Sequence, residues 1–218
     1  MTESATQQKI LDAAEILFAE HGFGEVSVRQ VVQEAGVNVA SIHYHFGSKE
    51  ALIEQVLSRR LTPLNGERLE LLEGFEAKAA KLGSPVPLED VLYSLIAPAV
   101  KMSRETTAGN HFIRLVGRMF AEPNESVQAM LKSRFEALFV KFSHAFRQAL
   151  PEVKKKDYFW RLHFVLGAMS LTLCDSQRPA LWSEGVCKPN DVDEVVGQLV
   201  TFCAAGMSAE AAKKRRAR

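Results

Sequence analysis

Residues 43–46 read His-Tyr-His-Phe, side chains that between them can bind metal, move a proton, stack on a ring or exchange hydrogen bonds. Spacing removes the first possibility. His43 and His45 are two residues apart, about 200° around a helix, so their imidazoles leave on opposite sides and cannot close on one ion. A chelating pair needs i, i+4 spacing or added carboxylates, and none is placed nearby. Nucleophilic catalysis fares no better, because no GxSxG elbow or comparable nucleophile signature occurs. Neither a metal, a cofactor nor an enzyme activity is expected. What remains is recognition, in which a short helix shows small, hydroxyl-bearing and aromatic side chains to something that docks on it.

Such a surface must be held by its neighbours. Ile10, Ala13, Ala14, Leu17 and Phe18 recur at the spacing of a one-sided helix, which Gly22 ends. Ser27 followed by Gln30 is a capping-box pattern. Val28, Val31, Val32 and Ala35 form the buried side of the helix it opens, and Gly36 stops it. Asn38 restarts the chain as an N-cap, and a second short helix runs to Phe46 and ends at Gly47. Ser48 caps a fourth. Two short helices joined by a glycine turn make a helix-turn-helix. With Val37, Ile42 and Phe46 turned inward, Ala40, Ser41 and Tyr44 share the outer face.

The rest of the chain also reads as helix. Leu52, Val56 and Leu61 lead to Pro63, which is expected to kink the fourth helix or divide it. KLGSPVPLED, residues 81–90, is the clearest linker. Beyond it, periodicity predicts helices over about 88–103, 108–120, 124–149, 156–175 and 191–208, the last opened by Asp191 and Glu194. No segment alternates with period two for long enough to make a strand, so the fold class is all-α. Cys174, Cys187 and Cys203 are odd in number and widely spaced, which suits free thiols rather than a disulfide framework. The longest apolar stretch, Phe164 to Cys174, has about half of the ~20 residues a spanning helix needs. The N-terminus is polar and acidic, so a cytoplasmic protein with no membrane partner is expected.

Charge bears on what the helix-turn-helix can hold. The net charge is only +1, and residues 1–50 carry Lys9, Arg29 and Lys49 against seven carboxylates. A simple basic patch is therefore excluded. Helix N-termini can still grip phosphate, because they present free amide N–H groups and a partial positive charge. Ser27, Asn38 and Ser48 cap three helices in succession. The small residues Ala40 and Ser41, with Tyr44, suit a helix lying in the major groove of DNA.

The ordered set ILDAAEILFAEHGF (10–23) and SVRQVVQEAGVNVASIHYHFGSKEAL (27–52) resembles the TetR family of bacterial repressors. Members commonly open the second helix with Thr or Ser, turn at Ala-Gly-Val, run aromatic residues into Tyr/His-Phe and open the fourth helix with Ser-Lys. All recur here, at Ser27, Ala35–Val37, Tyr44–Phe46 and Ser48–Lys49. Ala40 departs from the glycine many members hold there, and His43 fills a slot often taken by Tyr. The segment FWRLHFVLGA (159–168) is similar to the fatty-acid-responsive, PsrA-like branch.

The resemblance implies a repressor that binds a palindromic operator in double-stranded DNA as a homodimer and is released by a small apolar effector, a fatty acid or acyl-CoA. The domains expected are 1–50 for DNA, 51–208 for effector and dimerisation, and 209–218 as a basic tail. The DNA-binding residues expected are Ser27, Arg29, Asn38, Ala40, Ser41, His43, Tyr44, His45, Ser48 and Lys49. A dimer surface is read on two late helices, at Phe159, His163, Gly167, Ser170 and Cys174, and at Val192, Val195, Val196, Leu199, Phe202, Cys203 and Gly206. Phe112, Met119, Phe139, Phe142, Trp160 and Phe164 are expected to line an effector cavity, with Arg114, Arg118 or His163 meeting a head group. Each of these also reads as ordinary core. The alternative is a DNA-binding architectural protein without an effector.

Overall fold

The computed structural model describes residues 5–121, 125–174 and 177–210, without the side chains of 118, 120–121 and 125–128. Among the described residues every regular element is a helix: α1 (Ala5–His21), α2 (Val28–Ala35), α3 (Val39–His45), α4 (Lys49–Leu82), α5 (Leu88–Glu105), α6 (Thr107–Ala121), α7 (Glu125–Ala149), α8 (Lys155–Cys174), α9 (Arg178–Trp182) and α10 (Val192–Ser208). The fold is all-α. The basic residues Lys213–Arg218 of the expected tail lie outside the described residues.

The later helices stand where periodicity put them, but two features differ. Pro63 neither ends nor divides α4, which is helical through all 34 residues. Pro63 is exposed, and the carbonyl its ring leaves without a donor belongs to residue 59, on the same face. The defect therefore lies on the solvent side. The second feature is α9, five residues with Pro179 near its start, too short to leave a periodic signature.

By its contacts the chain forms two units, Met1–Glu67 with Lys101–Glu136, and Arg68–Val100 with Ala137–Arg218. In the first, α1 packs on α2, α3 and α6. Ile10, Leu11, Ala14 and Phe18 of α1 are buried with Ile42, Leu52, Val56, Leu57, Phe112, Leu115 and Met119. Gly22 N–H closes α1 by donating to the Phe18 carbonyl at 2.9 Å, and the Phe23 ring folds back onto Phe18, centroids 5.0 Å apart. In the second unit α8 packs on α10. Tyr158, Leu162 and Val165 are buried there, as are Val196, Leu199, Cys203 and Met207. Arg161 Nη1 donates to the Met207 carbonyl at 2.7 Å.

Polar links tie α4 to its neighbours in the first unit. Arg59 pairs with Asp12 at 2.6 Å, Arg60 with Glu15 at 3.2 Å, and Gln7 donates to Gln55 at 3.1 Å. Arg134 of α7 pairs with Glu54. Glu15 is the unusual member. It is buried, and its Oε1 has no hydrogen-bond partner while Oε2 meets Arg60. Burial pushes its carboxyl above the usual range, against the bond and charge of Arg60. A raised folded-state pKa means that stability is greatest in acid and falls as pH rises through that pKa. Glu15→Gln, which carries no titrating proton, is expected to remove this fall, so that its urea midpoint gains on the wild type as pH rises from the ordinary carboxylate range through the raised pKa.

Candidate nucleic-acid interface

The cap chemistry read from the sequence is present atom for atom in the two short helices. Ser27 Oγ accepts from Gln30 N at 3.3 Å while Gln30 Oε1 accepts from Ser27 N at 2.8 Å, the reciprocal pair that opens α2. Gly36 then takes φ 63°, a left-handed value that an L side chain rarely adopts, and its N–H returns to the carbonyls of α2. Asn38 Oδ1 accepts from Ala40 N at 3.0 Å and starts α3 two residues later. The turn leaves α3 with little freedom in where it starts or points.

Within α3, Ile42 is fully buried and Phe46 just after it is 7 % exposed. Val39, Ala40, His43 and Tyr44 are exposed, Tyr44 to 86 %. These four lie within one side of the helix. Ser41, expected at the centre of the outer face, is half-buried, while His43, on which the reading leaned little, stands on it. Val39 was missed. Its signal was available, because an apolar residue directly after the N-cap Asn38 precedes the first position that can pack beneath the helix. His45 is half-buried between two rings, edge-on to Tyr44 at 5.0 Å and to Phe46 at 6.2 Å. His43 Nδ1 lies 3.3 Å from the Gly47 carbonyl.

The charged residues divide in use. Arg29 is exposed on α2. Lys49 instead donates from Nζ to the Phe23 carbonyl at 2.6 Å, fastening the start of α4 to the loop after α1. Ser48 Oγ accepts from Ala51 N at 3.1 Å. Beside it, the backbone N–H of Glu50 and the Ser48 hydroxyl hold the exposed Glu50 carboxyl below the usual carboxylate range. The N-terminus of α4 thus already carries an anion. The starts of α2 and α3 carry no carboxylate in their first turn.

The expected cavity residues are divided between the two units. Phe112 and Met119 are buried in the first unit and Phe142 in the second. Arg114 is exposed, and the Arg118 side chain lies outside the described residues. Phe139 is half-exposed. Trp160, His163 and Phe164 do come together, but on the open side of α8, where the Trp160 and Phe164 rings stack at 6.0 Å. A shallow concavity elsewhere is lined by Gln177, Arg178, Ala180, Leu181 and Trp182 of the α9 region.

The stripes read for a dimer surface divide by face. On α8, Phe159, His163, Gly167 and Cys174 are exposed and Ser170 is half-buried, and Trp160, Phe164 and Leu171 extend the same apolar side. On α10, Val196, Leu199 and Cys203 are buried in the unit's own core and Val192 and Val195 are half-buried. Only Phe202, 70 % exposed, and Gly206 look outward. A Cβ added at Gly167 or Gly206 would meet nothing within 4 Å, so neither glycine serves a close approach within one chain. No helix of the described residues is long and apolar enough to cross a membrane.

Two family models match this chain. Residues 10–56 match the bacterial regulatory proteins of the tetR family, and residues 93–206 match the tetracyclin repressor-like C-terminal domain. Among curated proteins it is similar to the probable HTH-type transcriptional regulator YttP of Bacillus subtilis, 24% identical over 183 residues, or 83% of this chain and 81% of that protein. Among solved structures it shares the fold of the fatty acid degradation regulator FadR from Bacillus halodurans, with a TM-score of 0.65, 13% identity and coverage of 94% and 98%. It also shares that of FadR from Bacillus subtilis, solved in complex with stearoyl-CoA, with a TM-score of 0.63, 12% identity and coverage of 91% and 98%.

Tyr44 buries almost nothing, so its loss should be felt by a docked partner and not by the fold. Tyr44→Ala is expected to leave the urea midpoint within about 0.5 kcal/mol of wild type while weakening binding to double-stranded DNA about tenfold or more. Fluorescence anisotropy and a denaturation curve on the same sample check both halves.

Proposed function

We propose, from the premise that this chain belongs to the TetR family of bacterial regulatory proteins, that it is a homodimeric repressor. It holds a palindromic operator with two copies of α3 and releases it when a small apolar effector binds. The observation that carries the reading is the outer face of α3: Val39, Ala40, His43 and Tyr44 are exposed together on a helix anchored from below by Ile42 and Phe46. Small side chains let the helix enter the major groove, and the rings reach base edges and backbone. The N-termini of α2 and α3 and the cation of Arg29 face phosphates. Residues 1–50 form the reading domain, and 51–208 hold effector and partner.

One such module covers few base pairs, and symmetry doubles it. The exposed apolar side of α8, with Trp160 at 55 %, Phe164 at 63 % and Leu171 at 56 %, joins Phe202 and Gly206 of α10 as the surface a second copy covers. Large apolar side chains left this exposed on one helix face support a surface that a partner covers. Pairing α8 and α10 with their counterparts makes a four-helix bundle.

The effector is an acyl chain with a polar head. The stearoyl-CoA complex of a protein sharing this fold and the FWRLHFVLGA segment support that class, with Phe112 and Met119, enclosed in the first unit, as candidate lining. A ligand releases DNA only by its preference for the arrangement that cannot bind DNA. A hundredfold loss of operator affinity needs about 2.7 kcal/mol of that preference. The carrier is α4, which is fastened to the reading domain at its start, by Lys49 on Phe23, and three turns on, by Arg59 and Arg60 on Asp12 and Glu15.

A duplex selected from a randomised library is expected to be palindromic, to bind one dimer, and to lose affinity with salt at the slope of a few phosphates per subunit. Stearoyl-CoA added to the complex is expected to release it. Binding indifferent to salt removes the DNA reading, and a complex indifferent to acyl-CoA and free fatty acid removes the effector. Phe164→Glu, which sets a carboxylate on the proposed partner surface, is expected to sediment as a monomer and to lose operator affinity by at least tenfold.

A further inference from the structure

His43 is distinguished on the outer face of α3 by a ring that is tied to the backbone. Its Nδ1 lies 3.3 Å from the carbonyl oxygen of Gly47. That oxygen can only accept, so Nδ1 carries the proton and donates it. The turn presenting this carbonyl is itself fastened, since Gly47 takes φ 77° and its N–H returns to the carbonyls of Ile42 and His43 at 3.2 and 3.1 Å. The way α3 ends therefore selects the tautomer of a side chain on its exposed face. In a neutral imidazole a proton on Nδ1 leaves Nε2 with a bare lone pair. No described residue bonds to Nε2.

A phosphate oxygen is also only an acceptor, and two acceptors do not pair. The floor of the major groove offers what a bare lone pair needs, namely the exocyclic amino groups of adenine N6 and cytosine N4. We propose that His43 is a specificity-determining residue whose Nε2 accepts a hydrogen bond from an adenine or cytosine amino group, and not a phosphate anchor. The assignment rests on α3 docking in the major groove, as proposed above.

The test compares full-length wild type with His43→Asn and His43→Gln on duplexes selected by the wild type from a randomised library. In His43→Asn the amide Nδ2 can take over the bond to Gly47 while nothing stands at the place of Nε2. Discrimination at one base pair per half-site, an A·T or C·G pair, is expected to fall about three- to tenfold, with the salt slope unchanged. His43→Gln puts an amide that can accept or donate near the place of Nε2. It is expected to alter the preference at that same position and at no other, which keeps the assignment testable even where His43→Asn weakens folding. Uniform loss on every duplex with a salt slope shallower by about one per subunit is the mark of a phosphate contact and overturns the assignment. Unchanged preferences in both variants overturn it as well. A wild type that selects no sequence at all overturns the DNA reading itself, and this assignment with it.

Discussion

A helix of seven residues has almost no stability of its own, and α3 exists because Ile42 is driven into the first unit's core. Everything the recognition face shows follows from that one burial. With Ile42 fully enclosed and Phe46 beside it, the rotation of α3 about its axis is set, and Val39, Ala40, His43 and Tyr44 have nowhere to point but outward. The two caps act on the ends. Asn38 decides where the helix begins, and Gly47 decides where it stops and what the last carbonyls meet. One apolar contact and two backbone reversals thus take the place of the many packing contacts that orient a long helix.

This explains which parts of the chain were legible as sequence. Caps are local, so Ser27 with Gln30, Asn38, and the glycines at 36 and 47 could be read from neighbours three or four positions away. Helix existence was legible for the same reason, since periodicity in α5 to α8 and in α10 needs no knowledge of partners. Rotation was less so. Ser41 was read as outward but is half-buried, and Val39, which the reading left unassigned, is exposed. The bond from Lys49 to the carbonyl of Phe23, 26 residues away in sequence, is invisible to a local reading.

Long-range use also divided α10. Its apolar residues wrap more than one side of the helix, so a stripe drawn by spacing mixed Val196, Leu199 and Cys203, which pack inside the unit, with Phe202, which does not. Hydrophobicity alone cannot separate residues that fill a chain's own core from those left on its surface. Exposure in the folded chain can. The same measure moved Trp160, His163 and Phe164 from the expected cavity to an open apolar surface. It kept Phe112 and Met119 enclosed, where neither spacing nor composition distinguishes an ordinary core side chain from one beside a ligand.

Pro63 leaves α4 one rung short of a complete ladder, four residues before Glu67, the last residue of the helix to belong to the first unit. A rod bends where its section is thinnest. The compliance of α4 is concentrated at this notch, downstream of the stretch stiffened by Arg59 and Arg60. Local opening of the helix therefore costs least beside Pro63, where one backbone hydrogen bond is already absent.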